Sequence, residues 1–219
     1  MRSFTEPAVL LRAALAGTVS ALACYPRLSH WTQRKDDVWF LVAVIGSATF
    51  VMWAAVLAWH ERHGRSEVFP RRIPPKLWLT TLGIGIAGAT LSFHFGDPML
   101  RKFGPTDFPE NPAQWLEHVL FNLALEQLFL CFAPFAFFVR LLHGVKAAAL
   151  GVVGFSLLIL ALKLQSLPAA LTWELALGMV LFRAVHSTVT VWLYLQGGVW
   201  LVWLFALALQ CRHWFAFGG

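Results

Sequence analysis

Apolar runs approaching twenty residues recur along the whole chain, and this feature governs what it can fold into. One crossing of about 30 Å of hydrocarbon needs roughly twenty apolar residues. Lipid offers no partner for backbone N–H and C=O groups, so such runs cross as helices that satisfy their own backbone. Of the 219 residues, 58% are apolar and only 13% are Asp, Glu, Lys or Arg, with a mean hydropathy of +0.66. The charged share is about half that of a soluble domain. The expected fold is all-α, a polytopic transmembrane bundle of about seven membrane-spanning helices, with residues 1–219 forming a single integral membrane domain.

The apolar segments run approximately Ala8–Cys24, Val38–Trp59, Leu77–Phe95, Trp115–Leu142, Ala147–Leu164, Ala169–Phe182 and Val189–Gln210. Tyr25-Pro26, Pro70, Pro74-Pro75, Asp97-Pro98, Gly104-Pro105 and Pro109 to Pro112 punctuate the connectors. Trp31, Trp39, Trp59, Trp78, Trp115 and Trp214 stand at segment ends, as interfacial anchors do. Gly83, Gly85 and Gly88 suit a close helix crossing. The first run resembles a secretory leader, with Ala21-Leu22-Ala23 before Cys24, but Glu6 dilutes its basic flank, and a retained first helix is expected.

The net charge of +6 sits mostly in short connectors, which points to anionic lipid and a positive-inside bias, not to nucleic acid. Arg62, Arg65, Arg71, Arg72 and Lys76 favour an amino terminus inside, in a bacterial-type inner membrane. Cys24, Cys131 and Cys211 have neither disulfide nor zinc spacing.

Ionisable groups deep in an apolar run are costly and call for a reason. Glu126 lies about eleven residues into the fourth run. At about 100° per residue, His118, Asn122 and Glu126 fall on one stripe about 80° wide. Such a set can hold a water or a metal, or form an interhelical hydrogen-bond cluster. His186, beside Ser187 and Thr188, reads as a polar break between the sixth and seventh runs, near the interface. Glu174, near the headgroups, is placed to snorkel or to pair with Arg183, His213 to form a solvated cap, and Lys163 to snorkel outward.

Leu125 to Cys131, reading Leu-Glu-Gln-Leu-Phe-Leu-Cys late in a many-helix membrane chain, resembles the first motif, EExxxR, of the CAAX prenyl protease and bacteriocin-processing (CPBP) intramembrane proteases. The resemblance covers about residues 115–210. Glu126 matches the first glutamate, Gln127 stands at the second, and Cys131 stands at the arginine. The family's usual spacing sets the second motif, FxxxH, at Ile159 to Lys163, with lysine in the histidine's place. Its third motif then falls near Tyr194 to Gln196. Another alignment takes Phe182 to His186 as FxxxH, and His118 to Asn122 spells HxxxN ahead of Glu126.

The resemblance implies an intramembrane endopeptidase. Glu126, His186 and His118 are its catalytic candidates, and Asn122, Gln127 and Lys163 line its binding site. It leaves a divalent metal such as zinc open as cofactor, and implies a membrane peptide or lipidated protein as substrate. Two other readings share the same residues. One is a catalytically silent relative that binds or assists another membrane protein. The other is a small transporter or channel subunit with Glu126 as a proton or ion relay.

Overall fold

The computed structural model describes residues 6–31, 35–60, 63, 67–101, 108–165 and 172–218. Arg62, Arg65 and Gly104-Pro105, singled out above, lie outside the described residues. Six helical stretches are long and apolar enough to cross a membrane. They are α1 (Pro7–Trp31), α2 (Asp37–His60), α3 (Pro75–Leu100), α4 (Pro112–Leu142), α5 (Val145–Gln165) and α6 (Trp173–Trp214). The shortest, 21 residues, rises about 31 Å, enough to span the hydrocarbon. Leu11, Leu15, Val19 and Leu22 on α1, Leu79, Leu82 and Ile86 on α3, and Leu158 and Leu162 on α5 are exposed stripes at helical spacing. Apolar surface presented in this way belongs against lipid. The chain is an all-α integral membrane bundle.

A sharp turn is hidden inside α6. A straight helix of its 42 residues would extend about 63 Å, twice the hydrocarbon thickness. The helix breaks at Gly197 (φ −149°, ψ 21°) and Gly198 (φ 60°, ψ −149°). The His186 and Phe205 rings lie 5.4 Å apart, although a continuous helix would separate them by about 28 Å. Residues 173–196 and 199–210 are therefore two antiparallel arms, here α6a and α6b. The polar stretch at His186 is mid-helix in α6a, not the break expected between runs. The break comes eleven residues later, where Gly198 adopts a positive φ that other residues resist.

That turn is held by a loop. The Val68 carbonyl accepts the Val199 N–H at 3.0 Å, restoring a backbone bond the kink removes. Val68 is fully buried, and the Phe69 ring meets Trp53 and Trp200, each at 5.7 Å. A Cβ at Gly198 would stand 2.2 Å from the Val68 carbonyl oxygen. The expected glycine crossing also forms, in part. A Cβ at Gly85 would meet Ala208 of α6b at 2.6 Å, whereas Gly83 faces open space.

Polar side chains join the helices in pairs. Trp53 Nε1 donates to Ser20 Oγ at 3.1 Å, and Thr49 Oγ1 donates to the Gly17 carbonyl at 3.1 Å, between α2 and α1. Trp115 Nε1 donates to the Gln210 carbonyl at 2.8 Å, tying α4 to α6b. The first apolar run is built into this bundle: Ala21, Cys24 and Leu28 are buried with Val38, Val42 and Phe121.

Gly198→Ala combines a backbone conformation open essentially to glycine alone with a clash, and should destabilise the protein by at least about 1–3 kcal/mol. Gly178→Ala, where nothing lies within 4 Å of the new methyl group, is the control. Thermal unfolding in detergent measures the difference. Equal midpoints for the two variants would contradict the proposed seat of the turn.

Candidate functional site

The helix that carries Glu126 starts at a well-marked cap. Asn111 Oδ1 accepts the Gln114 N–H at 2.9 Å, Gln114 Oε1 accepts the Glu110 N–H at 2.8 Å, and Pro112 opens the first turn. Farther along, α4 widens into two π turns, Asn122–Glu126 and Leu128–Phe132. Pro134 explains the second. Proline has no N–H to give the carbonyl four residues back, and its ring crowds that carbonyl, so a wider turn relieves both problems. The same pairing recurs in α3, where the π turn Ser92–Gly96 precedes Pro98.

The first π turn reshapes the polar stripe. In an α-helix, residues five apart lie about 140° apart around the axis, whereas a π turn closes its hydrogen bonds at that interval. Gln127 Nε2 can thus donate to Asn122 Oδ1 at 3.1 Å, while Asn122 Nδ2 donates to Glu126 Oε2 in a short hydrogen bond. Asn122 links the two side chains that follow it. Opposite, Trp203 Nε1 of α6b donates to the Leu123 carbonyl at 2.9 Å, inside the π turn.

Glu126 faces the bundle interior. It lines a cavity of about 40 Å³ with Gln127 and Cys131 of α4, Val152 and Ser156 of α5, and Arg183, His186, Ser187 and Thr190 of α6a. That volume admits about two or three waters. Ser187 Oγ donates to Ser156 Oγ at 2.7 Å, fixing α5 against α6a at the cavity wall. His186 is held by its neighbours, its ring 6.2 Å from Phe182 and 5.4 Å from Phe205, while its carbonyl accepts the Thr190 hydroxyl at 2.8 Å. The Arg183 guanidinium lies within electrostatic reach of Glu126, and its buried Nε has no hydrogen-bond partner among the described residues.

The sequence candidates separate accordingly. Glu126, Gln127 and His186 meet at the cavity, and Asn122 braces Glu126 from behind. His118 lies two turns nearer the membrane face, is not part of the lining, and donates from Nδ1 to the Gln114 carbonyl at 2.7 Å. Lys163 is exposed, about 10 Å along α5 from Ser156, and is likewise absent from the lining. Arg183 serves the Glu126 cavity; Glu174, its expected partner, is exposed and lines a separate hollow with Asp97 and Arg212.

His213 is no solvated cap. It is 4% exposed, 3.9 Å from Asp97 and edge-on to Phe108. Asp97 in turn receives Arg212 Nε at 3.1 and 3.3 Å on its two oxygens. Arg183, Ser156 and Thr190 are site residues that sequence reasoning missed. The available signal was Arg183 and His186, three apart and thus on one helical face, deep in what is one continuous crossing.

Among the described residues, no three His, Cys, Asp or Glu side chains gather as a metal would require. Glu126, Cys131 and His186 all line the cavity, with a guanidinium beside them, but these three do not converge on one point as a zinc site requires. Comparison with protein-family models, curated proteins and solved structures yields no match.

The bond from Trp203 into the π turn sits in the α4–α6b contact and should contribute about 1 kcal/mol. Trp203→Phe is expected to lower the unfolding midpoint in detergent by a few degrees. Trp173→Phe, at a 71% exposed position, should leave it unchanged.

Proposed function

We propose that this chain is an intramembrane peptidase of the CPBP kind, with Glu126 and His186 as its hydrolytic pair. The supporting observation is that these two side chains, sixty residues apart in sequence, line one water-sized cavity within the membrane domain. Of the two alignments, this favours Phe182 to His186 as FxxxH over the one ending at Lys163. Arg183 also gives the departure at Cys131 a physical account. Both residues line the cavity, so α6a supplies a guanidinium where the family motif would place one on α4.

In this reading the Glu126 carboxylate, held on one oxygen by Asn122, takes a proton from a cavity water with the other. The resulting hydroxyl adds to the scissile carbonyl carbon, and Arg183 N–H groups meet the oxyanion that forms. Neutral His186 orients the water by accepting its second proton in a hydrogen bond. As the C–N bond breaks, the proton held by Glu126 passes to the leaving amine, leaving a carboxylic acid and a free amine. The face that carries the amino terminus, Arg71, Arg72 and Lys76 is the cytoplasmic face of a bacterial-type inner membrane.

A second reading, the catalytically silent relative that assists another membrane protein, is favoured by one observation. The cavity holds waters but no peptide, so a substrate must part α4 from α5 and α6a. Purified protein offered a transmembrane or prenylated test peptide distinguishes the two. Under the peptidase reading, Glu126→Gln and His186→Ala lower turnover by about 10²–10⁴-fold. Arg183→Gln lowers it by about 10²–10³-fold. Lys163→Met has no effect. Absence of turnover in folded wild-type protein, with or without added zinc, would establish the silent reading.

A further inference from the structure

On the face opposite the Asp97–Arg212 pair, α2 and α4 end beside each other around a hollow of about 410 Å³. Trp59, Phe137 and Leu141 form its apolar wall, and Arg140, His63 and His143 its polar rim. Among the described residues no carboxylate lines it. The Arg140 guanidinium sits over the Trp59 ring, 4.6 Å from its centroid, and lines the same hollow. His143 closes α4 in the left-handed conformation, at φ 54°, and its ring lies 6.5 Å from that of His63. Arg71, Arg72, Lys76 and Lys146 stand at the same end of the bundle. The mouth is therefore complementary to an anion.

Beneath it runs a second hollow of about 450 Å³ that shares Trp59 and Phe137 with the first. It continues past Ala55, Val51, Ala133 and Phe129 to Phe155, and among the described residues no charged one lines it. From Arg140 to Phe129 the path is about 16 Å along α4, from the membrane face toward mid-bilayer. Inorganic phosphate would use the mouth alone, and a hydrocarbon the groove alone. A molecule carrying an anionic headgroup on an acyl chain fills both, in the orientation it already has in a leaflet.

We propose that this paired hollow between the ends of α2 and α4 is a binding site for one anionic glycerophospholipid. Its phosphate is held by Arg140, His63 and His143, and one acyl chain lies in the groove over Ala55 and Ala133. The site lies at the opposite end of α4 from His118 and shares no residue with the Glu126 cavity, so it stands whether or not that cavity is catalytic.

Delipidated full-length protein in neutral detergent, titrated with phosphatidylglycerol or with phosphatidylcholine of the same chains and read by native mass spectrometry, tests the site. The basic rim should retain phosphatidylglycerol about tenfold more strongly. Arg140→Gln with His143→Asn, the latter tolerated in the left-handed conformation, should bring the ratio near one. Ala133→Phe, which fills the groove below the mouth, should weaken phosphatidylglycerol several-fold. Equal retention of both lipids by the wild type would overturn the proposal, as would selectivity that survives Arg140→Gln with His143→Asn. Ala133→Phe without effect, or displacement of the lipid by millimolar inorganic phosphate, would show that the groove takes no chain and would also overturn it.

Discussion

Backbone hydrogen bonding in hydrocarbon is the constraint on which the rest of this structure depends. Lipid cannot satisfy an N–H or C=O that leaves the helical ladder, so each departure from helix needs a partner from elsewhere in the protein. The sharpest departure, at Gly197–Gly198, is met by the buried Val68 carbonyl on a loop lodged among Trp53, Phe69 and Trp200. The π turn at Asn122–Glu126 receives the Trp203 indole at the Leu123 carbonyl. Both irregularities shape the site. The glycine turn folds α6b back so that Phe205 packs on His186, and the π turn brings Gln127 round to Asn122.

The class of fold was legible because it rests on composition and run length, which no tertiary detail can reverse. About seven crossings were expected and six stretches qualify among the described residues, because the last two expected runs belong to one helical stretch that turns at Gly197–Gly198. Residues 183–188 look like a loop on hydropathy alone, since they hold Arg183, His186, Ser187 and Thr188. Arg183, His186 and Ser187 line the cavity with Glu126 and Ser156, and the Thr188 hydroxyl donates to the Ala184 carbonyl of its own helix, so the stretch stays helical. Gly197-Gly198, with the single polar residue Gln196 before it in an otherwise apolar stretch, carries little hydropathy signal. Its signal is conformational, a φ of +60° that glycine adopts at little cost.

The candidate site was half legible for a related reason. Glu126 stood out because a carboxylate eleven residues into an apolar run has a cost that needs balancing. Asn122 followed from helical spacing. Gln127 joined it through a π turn that a uniform 100° per residue cannot anticipate. Arg183 was assigned to Glu174, its neighbour along the chain at the membrane face, because sequence gives no view of the helix opposite. Lys163 was weighted by motif spacing, yet the helix face it occupies reaches the cavity only two turns away, at Ser156.

Charge placement ties these features together. Arg183 lies within electrostatic reach of Glu126 inside the bundle, and Asp97 is paired directly with Arg212 toward one end. Pairing lowers the cost of charge in a low-dielectric interior, but it also limits what each group can do. A carboxylate fully engaged by a guanidinium is a poor base, whereas one braced by an amide and only within reach of the guanidinium keeps an oxygen for water. Asn122 takes one Glu126 oxygen, and Arg183 keeps a buried Nε with no hydrogen-bond partner among the described residues. Ser92 Oγ and His118 Nε2 are likewise buried without a hydrogen-bond partner among the described residues, so an open donor alone does not mark a site. What sets Arg183 apart is that its open donor lies at a cavity shared with a carboxylate, and the proposed oxyanion role rests on that combination.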